Sequence, residues 1–451
     1  MTAIDNDYDV IVVGAGSAGV AAALSAAEEG ARTMLLEASS AVGGTLAWQL
    51  LEHSAGFHDV RGNQVIAGFG ERLVRQMRET GTSPGHVRDD VGYTATRTPV
   101  NHVELALTEA VMLGKAGVHL WLSAPVVATQ RAANRIVTLV TETPAGRHEL
   151  RPKMVVDTSG DAIVARQAGA RLHTDAAESR QPASLTFKLG GIDFAKLLAY
   201  ARSEPDDFRA GSVIGDAAAS DINLWGFGRL LARGLQSGSL SLARTELHLA
   251  GWPLRREAVV NVSRVTTGAI DANWTGDATI ALSQQVLEFA RWFREMVPGC
   301  EQSYVAAVAN RVGVRESARI IGRQTLSRDE MLSAKVCTDA IAQAAFPIDI
   351  HEPGKPSLSH TEQLSHPFGI PYGCLVADEL ENLLMAGRCV SSTHEANGSV
   401  RITATCFATG EAAGVAAAMA ARHGLAAPDV AVVDLRQRLR DRGAIVDAGW
   451  G

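Results

Sequence analysis

The spacing most able to do chemistry is Gly14-Ala-Gly16-Ser17-Ala18-Gly19, followed downstream by an acid, Glu37. Each glycine answers a separate demand. Gly14 permits a tight turn, Gly16 lets the backbone approach a pyrophosphate, and Gly19 lets a helix pack closely on a strand. The N–H groups at the start of such a helix face the phosphates. Glu37 is placed to take ribose hydroxyls and to repel a 2′-phosphate. Val42-Gly43-Gly44-Thr45 adds a second glycine pair where the chain can pass the same pyrophosphate. The set describes a dinucleotide site, for FAD or for NAD.

Such residues need a particular scaffold. Residues 8–13 predict a buried strand, 17–29 an alanine-rich helix and 33–37 a second strand, which together form one βαβ unit. Helices are expected at 70–80 and 101–115, the latter with Val103, Leu107 and Val111 on one face. Strands at 118–122, 126–130, 136–143 and 154–157 form a meander. A different texture over 172–375 predicts an inserted domain, with strands at 184–190 and 257–263, helices at 276–297 and 300–322, and turn-forming runs at 203–221 and 351–371. The strand pattern resumes at 382–386, an alanine-rich helix covers 403–422, and the tail from Pro428 is a peripheral helix.

Glu37 to Gly44 resembles the segment after the ribose acid in FAD-binding proteins of the glutathione-reductase structural type. Residues 157–170, with Asp157-Thr-Ser159-Gly160-Asp161, are similar to that group's strand-end motif. Residues 383–414 resemble the C-terminal flavin motif of the FAD-dependent oxidoreductase family, relatives of fumarate reductase and succinate dehydrogenase flavoproteins. Val314 to Gly322 and Ile370-Pro371-Tyr372 extend the likeness over nearly the whole chain. It implies an α/β fold: a Rossmann-like FAD-binding domain from residues 1–171 and 376–427, an inserted α+β substrate or cap domain over 172–375, and a peripheral helix over 428–451. It also implies cofactor contacts from Ala38, Thr45, Val126, Ser159, Gly160, Gly387 and Arg388. Ser399, Val400, Arg401 and Ile402 would lie under the flavin ring, where a helix N-terminus stabilises negative charge. Arg388 stands where the wider superfamily commonly has an aspartate, so backbone contact is expected of it.

For catalysis, His394 is similar to a substrate-binding histidine of fumarate-reductase-like proteins. It would donate to a substrate carbonyl or move a proton, or bond a backbone carbonyl as a structural histidine. Arg315 and Arg319, one helical turn apart on the expected 300–322 helix, could hold a carboxylate. Glu316 beside them suits an ion pair with Arg319. Tyr372 offers a phenol to a carbonyl, or is a buried hydrogen-bonded tyrosine. His53 and His58 lie too far past Glu37 for a covalent flavin tether and fit a surface loop. Cys406 is a thiol in the last helix, or a small core residue.

Composition removes other classes. In 451 residues, 42 Lys+Arg face 49 Asp+Glu, so no basic excess grips nucleic acid. Five cysteines without a C-x-x-C pair indicate neither a disulfide framework nor a zinc site, and no metal is expected. Reduced thiols and an acidic start without a signal-peptide core point to a cytoplasmic protein. The apolar stretches 10–27 and 402–421 are rich in alanine and fall short of a membrane span. There is no second G-x-G-x-x-G for NAD(P)H, no cysteine pair after Gly44, no Asp-Gly and no Trp-x-Trp. What remains is hydride exchange between FAD and a small organic substrate, as a dehydrogenase or C=C reductase. An oxidase using O₂, or another external acceptor, is the rival among enzymes. A flavin-bearing RNA-modification or assembly protein is the rival from another class.

Overall fold

The computed structural model describes residues 6–333, 336–356 and 360–447. The first five residues, part of the turn-forming 351–371 run and the end of the 428–451 tail lie outside them. Strand β1 (Asp7–Val13) is buried from Val10 onward, and its Val/Ile run suits a parallel strand covered on both faces. It lies parallel to β2 (Thr33–Leu36) on one side and to the strand Gly146–Asp157 on the other. Register aligns Val13 with both Leu36 and Asp157, and Met385 of the strand Leu383–Met385 with Asp157. The carboxyl ends of four parallel strands therefore finish level. Gly14, Glu37, Thr158 and Ala386 leave the sheet along one edge, the place where open α/β sheets bind ligands.

Helix α1 (Ser17–Glu28) returns from β1 and packs against the long helix Thr403–His423. Their alanine and glycine content has a steric cause: a Cβ on Gly410 would sit 2.2 Å from the Ala18 carbonyl oxygen, and one on Gly414 2.1 Å from that of Ala22. By length and composition the Thr403–His423 helix is apolar enough to cross a membrane, contrary to expectation, but 89% of its apolar window is buried inside the protein. Its apolarity serves the core.

A second, antiparallel sheet runs Ile222–Gly226, Leu247–Trp252, Glu257–Asn261, Phe187–Gly190, Tyr304–Val308. The helix Ala272–Met296 covers it with Leu282, Phe289 and Phe293. This core draws on residues from Ala183 to Val312, whereas Leu326, Ile341, Ile370 and Val376 pack into the first core with α1. Ala318 and Ile320 pack into a third core with Ile11 and Leu383, and Phe346 joins Val91 and Tyr93, so the stretch 172–375 is shared among several cores.

Two local expectations fail. Residues 300–322 form no helix: Tyr304–Val308 is an edge strand pairing with Phe187–Gly190, and an irregular run with Gly313 follows. Tyr304, Val305 and Val308 favour a strand, and exposed and half-buried positions alternate along it, as on a half-exposed edge. The second concerns the helix His102–Lys115, which forms as expected, its N-terminus capped by the Asn101 side chain. Val103, Leu107 and Val111 nevertheless face outward, with Leu107 61% exposed, while Leu105, Glu109 and Leu113 turn inward. The helix carries two stripes, and periodicity alone does not say which one packs.

Candidate functional site

A cleft of about 460 Å³ opens along the carboxyl edge of the parallel sheet and is closed on its far side by the second sheet. At one end it is lined by Gly14, Gly16, Ser17, Ala18, Glu37, Ala38, Gly44 and Thr45. Gly14 has φ +103°, and a Cβ there would meet the Thr158 carbonyl oxygen at 2.7 Å. A Cβ on Gly44 would lie 2.7 Å from Gly16 Cα, so the two glycine turns run backbone against backbone beside the cleft. Gly19 and Gly43 stand behind this wall. Gly19 lets α1 close on the turn, where a Cβ would sit 1.7 Å from the Gly14 oxygen, and the Gly43 N–H donates to the Ala15 oxygen at 2.8 Å. The first turn of α1 contains no acid, leaving its positive end for an anion. Glu37 accepts from the N–H groups of Ala15 (2.6 Å) and Ser39 (2.7 Å), which fix it at the cleft. Each carboxylate oxygen has a second lone pair to offer.

The middle of the cleft is built from Val126, Thr158, Ser159, Gly160, Asp161, Gly387 and Arg388. Buried Asp157 holds this turn, accepting from the Ser159 hydroxyl at 2.7 Å and from the N–H groups of Val164 and Ala165. Burial raises its pKa against those bonds. Arg388 does more than offer its backbone: its guanidinium donates to Asp161 at 2.8 Å, and Asp161 also accepts from Ser317. Gly14, Gly44 and Gly160 are positions where an added side chain would collide or strain, and all face one elongated space. The residues present fit FAD.

The far end brings together residues distant in sequence. His53 and Ala55 of β3 (His53–Ala55), Phe346, Arg401, Ile402, Thr403 and Cys406 form one side; Ser184, Thr186, Asn261, Arg311 and Arg315 come from the other. The Ser54 and Thr403 hydroxyls meet at 2.5 Å, tying β3 to the start of the last helix. Fully buried Glu52 anchors β3 from behind, accepting from His102 (2.6 Å), Lys188 (2.9 Å) and Trp252 (2.8 Å). Against burial, His102 and Lys188 hold its pKa down at about 2. His53 Nδ1 is buried with no hydrogen-bond partner, and its ring meets His248 edge-on at 4.9 Å. Burial and then the Arg97 charge lower its pKa to about 4, so the imidazole is neutral at neutral pH. Burial pushes the Cys406 thiol up to about 12, which leaves it a packing residue.

Several expected residues lie outside this wall. His394 begins a separate short helix, His394–Val400, and its Nδ1 is 2.9 Å from Glu316 Oε2. That contact, against burial, raises its pKa. Arg319 is buried, forks onto Asp175 at 2.8 and 3.1 Å and donates to the Ser392 oxygen. Glu316 therefore pairs with His394, not Arg319, and accepts from the Gln181 N–H. Tyr372 is buried and donates to the Ala427 oxygen at 2.8 Å, the structural alternative. Ser399 and Val400 are also buried off the cleft, the Ser399 hydroxyl donating to the Phe346 oxygen at 2.5 Å. The last helix starts only at Thr403, so Arg401 to Thr403 reach the cleft and the preceding turn does not. Of the four expected catalytic residues only Arg315 lines it. His53, expected in a surface loop, instead stands on the strand His53–Ala55 and lines the cleft.

The sequence matches the model of the family described as FAD dependent oxidoreductase over residues 9–439. Among solved structures it is similar to a geranylgeranyl bacteriochlorophyll reductase-like protein from Thermoplasma acidophilum, at 12% identity and TM-score 0.47, covering 97% of this chain and 84% of that one. It is also similar to p-nitrophenol 4-monooxygenase from Pseudomonas putida, at 12% identity and TM-score 0.47, over 95% and 82%. The flavin-dependent brominase Bmp2 matches at 13% identity and TM-score 0.46, over 96% and 84%. Level strand ends, a glycine-lined cleft and a family match over nearly the whole length agree: the chain belongs to the FAD dependent oxidoreductase family and is an FAD-dependent enzyme.

Proposed function

We propose that this oxidoreductase moves a hydride between a small organic substrate and FAD, acting as a dehydrogenase or as a C=C reductase. One observation carries the proposal: the cleft runs on from its glycine-lined end to a chamber between His53 on one wall and Ser184, Thr186, Asn261 and Arg315 on the other. FAD, when bound, supplies the two-electron acceptor or donor. The protein's part is orientation and proton handling. Neutral His53 hydrogen-bonds a substrate hydroxyl or carbonyl and takes or gives its proton. Ala55, Phe346 and Ile402 keep water from the same space. Ser184, Thr186 and Asn261 add polar groups that fix the substrate's pose.

The test is anaerobic mixing of the FAD-loaded protein with a panel of small alcohols, amines, acids and enones, followed by air. Bleaching of the yellow flavin band by a saturated compound supports dehydrogenation. Reoxidation of dithionite-reduced protein by an unsaturated one supports C=C reduction. Fast recovery in air would assign O₂ as acceptor, and no reaction with any compound in either direction would overturn hydride transfer.

A further inference from the structure

Arg315 lines the chamber, yet no carboxylate lies within 4.0 Å of it among the described residues. Its Nη1 donates to the Pro182 oxygen at 2.5 Å and the Ser184 hydroxyl at 3.3 Å, both neutral. These bonds fix the guanidinium plane. Nε and Nη2 make no hydrogen bond, and neither is sealed from solvent. That free edge is the fork that binds a carboxylate through two parallel bonds.

Its neighbours share its sign. Arg401 also lines the chamber, and the charges of Arg264 and Arg244 act on the same group. Burial, then the Arg401 and Arg264 charges, bring Arg315 down to about 9. Burial and the next arginine bring Arg264 and Arg244 to about 10 each, so all stay cationic at neutral pH. Asp349 is the carboxylate inside the group, 3.3 Å from Arg401 and 3.2 Å from His351. Glu246, the other acid near Arg244, is paired with Arg209 at 2.6 Å. The group therefore carries an excess of positive charge, and a buried charge left unbalanced is costly. The far chamber, lined by Arg311, Arg315 and Arg401, also concentrates anionic ligands.

We infer that the substrate is a carboxylate, received on the free edge of Arg315 with Arg401 alongside. This rests on the function proposed above, since it assigns the far chamber to substrate. The glycine-lined end lies elsewhere in the cleft, and Arg388, the arginine beside it, is already paired with Asp161.

The experiment titrates FAD-loaded protein with benzoate and with benzamide, its uncharged counterpart, reading the flavin spectrum and the heat of binding. Benzoate is expected to bind saturably and benzamide about tenfold more weakly or not at all. Arg315→Gln should weaken benzoate by about tenfold or more with FAD content unchanged, and Arg315→Lys should recover part of the loss. Equal binding of the two probes, or none of either, overturns the inference, and this contrast needs no variant to fold. Loss of FAD in Arg315→Gln overturns it too, by assigning the arginine to the cofactor. A wild-type protein that takes up no FAD contradicts the underlying function instead, and the calorimetric titration then still reads the arginine.

Discussion

His53 shows how one side chain acquires a role from its surroundings. An ordinary imidazole has a pKa near about 6.5. Burial and Arg97 bring this one to about 4, and His351 falls to about 3 from burial and the Arg315 charge. As pH falls from about 6.5 to 4, the unfolded chain gains protons that these folded histidines refuse, so their contribution to stability declines through that window. From pH 7 to pH 5 the wild-type denaturant midpoint is expected to drop relative to that of His53→Gln. Equal drops in both proteins would contradict this. The readily legible residues were those whose role is local. Gly14, Gly16 and Glu37 lie within one βαβ unit, so their spacing alone brings them to the cleft. His53, Ser184 and Asn261 meet only after two sheets fold against each other, and nothing in their immediate sequence announces it. His394 and Arg319 had suitable chemistry, but Glu316 and Asp175 hold them off the cleft.

At the scale of elements, the turn before α2 (Gly44–Trp48) tests the cofactor cradle. Gly44 has φ +49° and almost touches Gly16. Gly44→Ala would press its Cβ onto the Gly16 backbone, so it is expected to lower stability and to bind FAD at least about a hundredfold more weakly by equilibrium titration. Undiminished FAD affinity would sink the close-approach account. Behind the same turn, Glu109 is fully buried with both oxygens unpartnered, and desolvation raises its pKa to about 8. Between pH 4.5 and 8 Glu109 keeps a proton in the folded chain that the unfolded chain releases, so its contribution to stability falls as pH rises. Glu109→Gln should therefore be more stable than wild type by roughly 3–5 kcal/mol at pH 8, and nearly equal to it near pH 4.5. Chemical denaturation at the two pH values checks both halves. The expected 300–322 helix failed for a related physical reason: an edge strand is stabilised by its partner Phe187–Gly190, which a local window cannot contain.

At the scale of the molecule, the parallel sheet supplies a level edge and the antiparallel sheet supplies a wall, and the cleft exists only because both are present. The first could be read from the sequence, since β1, α1 and β2 are contiguous. The wall could not, because its residues come from the end of one strand, the start of another and an irregular run. The most direct test of the whole arrangement is a crystal structure of the protein grown with FAD. The adenosine is expected beside Glu37, the pyrophosphate at Gly14, Gly16 and Gly44, and the flavin ring along the wall that carries His53 and Arg401, leaving the opposite wall with Arg315 free for substrate. A flavin ring placed away from His53, or a pyrophosphate held by Arg315, would contradict it.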